Sequence, residues 1–180
     1  MRGLKAWWAR RVSRADDPDW LLYRDVAAKA VAPERIALFG LEDTPEMRFE
    51  ILALHLAAAW ARLDAGDAPL RRMRRGLGEA FVADMDASLR DLGAGDLGVG
   101  KRVKVLAERL YGRVAAYGPA FAEDAEPAVI ADALERNLYK EGPPADAEAP
   151  ARAADAVRQL GQAWRAAPSA AILAGKGPDL

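Results

Sequence analysis

Apolar residues recur along most of this chain at three- and four-residue spacing, the period of a helix with one buried face. Together with capping residues, that pattern predicts helices near 18–31, 45–64, 69–92, 101–117, 127–140 and 150–166. Asp17-Pro18 and Thr44-Pro45 each set a capping side chain before a proline at the first helical position. Gly66, Gly93, Gly118 and Gly142 follow the predicted helices as stop signals. From Phe49 to Ala61 the chain is apolar nearly all the way round, which suits the centre of a bundle. The next two helices carry one stripe each: Leu77, Phe81, Met85, Leu89 and Leu92, then Val103, Leu106, Ala107, Leu110, Val114 and Tyr117. Both stripes are expected to lie against the central helix. Gly142-Pro143-Pro144 reads as a linker, the last helix is expected to pack loosely, and the tail after Pro168 to fray.

Composition sharpens the class. With 41 Ala and 21 Leu against 10 Val, 4 Ile and 1 Thr, strand-forming residues are too few for a sheet. The expected fold is all-α, a single-domain helical bundle of about six to eight helices. It divides into a basic amphipathic segment (1–16), a helical domain (17–141), and a linker plus C-terminal helix packed on or beside that domain (142–180). A chain of 180 residues buries roughly 70% of its unfolded surface and needs no covalent staple. The longest uncharged stretch in its body, Ile51 to Ala61, has eleven residues against the roughly 20 needed to span a bilayer.

The reactive inventory is thin: no Cys, one His (His55), three Ser (Ser13, Ser88, Ser169), one Thr (Thr44) and one Asn (Asn137). Serine triads, thiolate or multi-His metal sites and His acid–base pairs lack their parts. The chain therefore reads as a non-enzyme with no cofactor and no metal. Its net charge of −1 gives no whole-molecule field for DNA.

Three motifs resemble chemistry without supporting it. Gly93, Gly95 and Gly98 fit G-x-G-x-x-G, and Gly95 to Lys101 fits G-x-x-x-x-G-K, but a helix rather than a strand precedes them. Arg102 also stands where a phosphate loop needs Ser or Thr for magnesium. The run reads instead as a rigid corner between helices, with Asp96 capping the second or bonding within the loop. Asp84, Asp86 and Ser88 open like a calcium loop, yet Leu89 and Gly95 occupy the positions of its Gly and Glu. His55, alone on the apolar central helix, reads as a hydrogen-bonded core residue.

Two charge features remain. Residues 1–14 hold five basic and no acidic side chains, with Leu4, Trp7, Trp8 and Val12 on one helical face. This segment fits either a core-packed Trp pair or a docking element for a membrane or partner, carried by Trp7, Trp8, Arg10 and Arg11. Arg71, Arg72, Arg74 and Arg75 form the densest basic run. Their ordinary reading is a hydrated face; the alternative is an RNA- or ribosome-associated helical protein that uses residues 71–75.

The segment Phe81-Val82-Ala83-Asp84-Met85-Asp86-Ala87-Ser88-Leu89-Arg90-Asp91-Leu92-Gly93-Ala94-Gly95-Asp96-Leu97-Gly98-Val99-Gly100-Lys101-Arg102-Val103-Lys104, with Tyr111-Gly112-Arg113, closely resembles the ubiquinol-cytochrome c chaperone family. The resemblance extends from about Phe49 to Tyr117 and includes the helix around Leu54-His55-Leu56. It departs at Leu110, where many members carry an aromatic residue. What it implies is a helical assembly factor for respiratory complex III that binds newly made cytochrome b, at the cytoplasmic face of the inner membrane in a bacterium. Further partners it raises are a small assembly protein and, from the mitochondrial branch, the ribosome. The positions it offers for partner binding are Asp84, Asp86, Asp96, Lys101, Lys104, Tyr111 and Arg113. A plainly structural role fits the same residues, with Asp84 or Asp86 paired to Lys101 at the helix corner. A factor of this kind needs an exposed apolar groove with charged rims.

Overall fold

A computed structural model describes residues 16–93, 96–142 and 144–179. The described residues form eight α-helices and one short 3-10 helix, with no strand, so the all-α expectation holds. The helices are α1 (Pro18–Ala30), α2 (Pro33–Ala37), α3 (Pro45–Asp64), α4 (Ala68–Asp91), α5 (Asp96–Tyr117), α6 (Pro127–Asn137), α7 (Ala149–Ala166) and α8 (Ser169–Leu173). The 3-10 helix is Gly118–Phe121.

Local chemistry sets the starts. Thr44 Oγ1 accepts the Met47 N–H at 3.2 Å and Asp67 Oδ1 accepts that of Leu70 at 3.3 Å, each ahead of a proline that has no N–H to lose. Gly93 follows the end of α4 with φ of +81°, a region costly for residues with a Cβ, whereas α6 already ends at Asn137 and Gly142, at φ +117°, lies in the turn beyond it.

α3 is the hub. Every residue from Glu50 to Trp60 is buried, and α1, α4, α5 and α7 pack around it. α3 and α4 run antiparallel, since Trp60 meets Arg74 and Phe49 meets Phe81. A relay of rings, Trp20, Tyr23, Phe81 and Phe49, joins α1 to α4 and α4 to α3 at centroid distances of 5.8, 6.4 and 6.4 Å. Aromatic pairs of this kind add about 0.5–1.5 kcal/mol each beyond their burial.

Four expectations change. α5 begins at Asp96 rather than near 101, so Gly98 and Gly100 are helical and the corner is shorter than the glycine run. Asp96 is the first residue of that helix, and its side chain lies outside the described residues. Leu92 leaves the α4 stripe: it sits past the helix end and is 84% exposed. The last long helix packs firmly, with Ala153, Val157, Leu160 and Trp164 in the main core.

The tail does not fray. Ile172 is fully buried, the Gly177 N–H donates to Asp25 Oδ2 at 2.8 Å, and Lys29 Nζ donates to the Pro178 carbonyl at 2.9 Å. Gly175, at φ +84°, passes so close to α1 that a Cβ there would lie 2.5 Å from Leu21 Cβ. The signal for frayed ends was composition, which is silent on such long-range bonds.

Candidate functional site

The seven partner-binding candidates lie on two helices, Asp84 and Asp86 on α4 and Asp96, Lys101, Lys104, Tyr111 and Arg113 on α5. Tyr111 stacks on Trp60, ring centroids 5.4 Å apart and planes within 8°. Trp60 is buried, its Nε1–H donating to the Arg74 carbonyl at 3.0 Å, while Tyr111 stays 51% exposed. Gly78 makes this stack fit, because a Cβ there would come within 2.9 Å of the Tyr111 hydroxyl. The Tyr111 ring thus stands half in water on a rigid base, presenting apolar area at little entropic cost.

Around α5 the outward face carries Lys101, Lys104, Val105, Glu108, Tyr111 and Gly112, all exposed. Lys104 reaches Glu108 at 3.7 Å, a weak surface pair. Val105 is 48% exposed and, with Leu92 and Tyr111, makes three of the four large apolar side chains exposed among the described residues. Gly98, Gly100 and Gly112 meet nothing within 4 Å where a Cβ would stand, so packing within the protein does not require them. Exposed helical glycine costs about 1 kcal/mol relative to alanine.

Asp84 and Asp86 diverge. Asp84 Oδ2 accepts the Tyr23 hydroxyl at 2.7 Å, and burial, followed by the Asp84 charge, pushes the Tyr23 phenol far up. Asp86 pairs with Arg90 one turn along at 2.8 Å. The bonds to Tyr23 and Arg90 replace the expected pairing with Lys101, since Asp84 turns inward against α1.

Arg113 is half-buried and turns inward. Its Nε donates to Glu50 Oε2 at 2.6 Å and its Nη1 to Asn137 Oδ1 at 3.2 Å, while Asn137 Nδ2 donates to the Ala133 carbonyl. Glu50 is 2% exposed, and its carboxylate also draws Arg109, which bonds Glu46 and covers the Phe49 ring at 4.5 Å. Tyr117 is buried beside this cluster, and desolvation followed by the Glu50 charge drives its phenol up.

The arginine run also divides. Arg71 bonds the Gly66 carbonyl, and Arg74 pairs with Asp64 while lying 5.3 Å from the Trp60 ring centroid; Arg72 and Arg75 are exposed. Trp7, Trp8, Arg10 and Arg11 lie outside the described residues. His55 is buried as expected, with Nδ1–H donating to the Ile51 carbonyl at 2.8 Å and burial lowering its pKa to about 4. Among the described residues no group of His, Asp and Glu has the arrangement to hold a metal, and no helix is long and apolar enough to cross a membrane.

Structure therefore brings Lys101, Lys104 and Tyr111 onto one surface and separates Asp84 and Arg113 into structural bonds. Sequence reasoning missed Val105 and Gly98, and it held Gly100 and Gly112 only as part of the resemblance, with no role on that surface. The signal for Val105 was its position on the wheel, opposite the buried stripe.

A model of the ubiquinol-cytochrome c chaperone family matches residues 37–177. Among solved structures, the crystal structure of the Cbp3 homolog from Brucella abortus is similar at 33% identity and a TM-score of 0.72, covering 97% of this chain and 96% of that one. No curated protein gives a match. With a family model over most of its length and a structural relative along nearly all of it, the chain belongs to the ubiquinol-cytochrome c chaperone family.

Proposed function

We propose that this complex III assembly chaperone binds cytochrome b through the exposed face of α5 and the adjoining turn, and does so without catalysis. The observation that carries the reading is the set Leu92, Val105 and Tyr111, large apolar side chains left in water beside Lys101, Arg102 and Lys104. Exposed nonpolar side chains interspersed with charged ones suit an apolar client while keeping the free chaperone in solution. It is a helix face rather than the groove expected from sequence. The glycines at 98, 100 and 112 let a client backbone approach closely, as small residues do between packed helices.

In this reading the protein works at the cytoplasmic face of the inner membrane, with the basic segment of Trp7, Trp8, Arg10 and Arg11 as its peripheral anchor. A small assembly protein and the ribosome are its further partners. Deleting the gene in a strain that makes complex III is expected to lower assembled complex, with wild-type protein restoring it and a folded Val105→Glu, Tyr111→Ser variant failing to. Normal complex levels in the deletion strain, without any association between the tagged protein and cytochrome b, would refute the proposal. Liposome flotation tests the anchor: Trp7→Ala, Trp8→Ala should float less, and unchanged flotation removes that role.

A further inference from the structure

Away from α5, the end of α3 meets the 3-10 helix and α7 around an open cleft of about 260 Å³. Its apolar lining is Ala58, Ala61 and Ala65 of α3 with Phe121 and Trp164; Ala58, Phe121 and Trp164 are nearly sealed at its base, and Ala61 and Ala65 face its opening. Polar side chains enter only at the rim.

The rim carries Arg62, Arg165 and Glu123. Arg62 Nη2 donates to the Ser169 hydroxyl at 3.0 Å and the Ala167 carbonyl at 3.4 Å, and Arg165 Nη1 donates to the Phe121 carbonyl at 3.3 Å. Both guanidiniums are therefore positioned by neutral acceptors. Arg48, Arg74, Arg90, Arg113 and Arg152 each pair instead with a carboxylate. Glu123 is exposed, and the charged side chains of the lining are two cations to one anion. Each guanidinium keeps donors for an incoming anion, in a fork that matches a carboxylate.

We propose that this cleft binds a carboxylate bearing a medium-length hydrocarbon chain, the hydrocarbon between Ala61 and Trp164 and the carboxylate at Arg62 and Arg165. Shape and charge each select: the floor excludes polar groups, and the rim disfavours a cationic head. The assignment stands apart from the client-binding face.

The test uses the full chain and decanoate below its micellar concentration, read by calorimetry, with decanol and decyltrimethylammonium as neutral and cationic controls. Saturable one-to-one decanoate binding is expected, with decyltrimethylammonium at least about tenfold weaker, the scale of one charge-assisted contact. Ala61→Leu should abolish uptake of decanoate and decanol alike. Arg165→Gln, at an exposed position that is safe for folding, should weaken decanoate about tenfold and leave decanol unchanged. Failure of lysophosphatidylglycerol, whose headgroup is a phosphodiester, to compete supports a free carboxylate as the ligand, and competition equal to that of unlabelled decanoate would overturn the carboxylate assignment. Equal binding of the cationic control, an Arg165→Gln variant that binds like wild type, or uptake of a Leu-Glu peptide with none of decanoate would overturn it.

Discussion

His55 ties acidity to stability. Its folded pKa of about 4 lies below the ordinary value of 6.5, because burial opposes the charged ring. The unfolded chain therefore takes up a proton as pH falls through 6.5, and the folded chain takes none until about 4. Stability is fully present above pH 6.5 and lost between those values, by about 2 kcal/mol at pH 5. Urea unfolding at pH 7 and pH 5 should show this loss, and His55→Leu should remove most of it. A second residue-scale prediction concerns Glu50. Arg113→Met strands its buried carboxylate and should cost about 2–4 kcal/mol, while adding Glu50→Gln should recover much of that, measured as a double-mutant cycle in urea. The core role of His55 was legible in the sequence because an isolated His on an apolar helix has no partner for chemistry. The placement of Arg113 was not, since it depends on Glu50 sixty-three positions away.

At the scale of elements, long helices declared themselves and short ones did not. α3, α4 and α7 span 20, 24 and 18 residues, enough turns for period and caps to register. α2 and α8 have five residues each, and their stability comes from packing such as that of Ile36 and Ile172. Leu92 shows the opposite failure, where a stripe extrapolated by one position ran past the helix end. α5 carries the sharper prediction. Gly98→Ala and Gly112→Ala place methyls in open space and should each stabilise the protein by about 0.5–1 kcal/mol in thermal or urea unfolding. If the bare face admits a client, the same variants should lower complex III levels in cells. Gain of stability without loss of function would show that the glycines serve nothing on that face.

Across the whole molecule, one core unites the chain from Leu22 to Ile172, and the tail clamps back onto α1 through Lys29 and Asp25. Gly175→Val forces a side chain into Leu21 at a left-handed φ and should cost several kcal/mol in urea unfolding. Among the described residues four large apolar side chains are exposed, and two of them, Val105 and Tyr111, lie on α5. The central claim is that this surface meets cytochrome b, and site-specific photo-crosslinking in living cells tests it most directly. A crosslinker at residue 105 is expected to capture newly made cytochrome b, and one at residue 158, on the exposed side of α7, to capture none. Equal capture from both positions, or none from residue 105 in cells actively building complex III, would contradict the account.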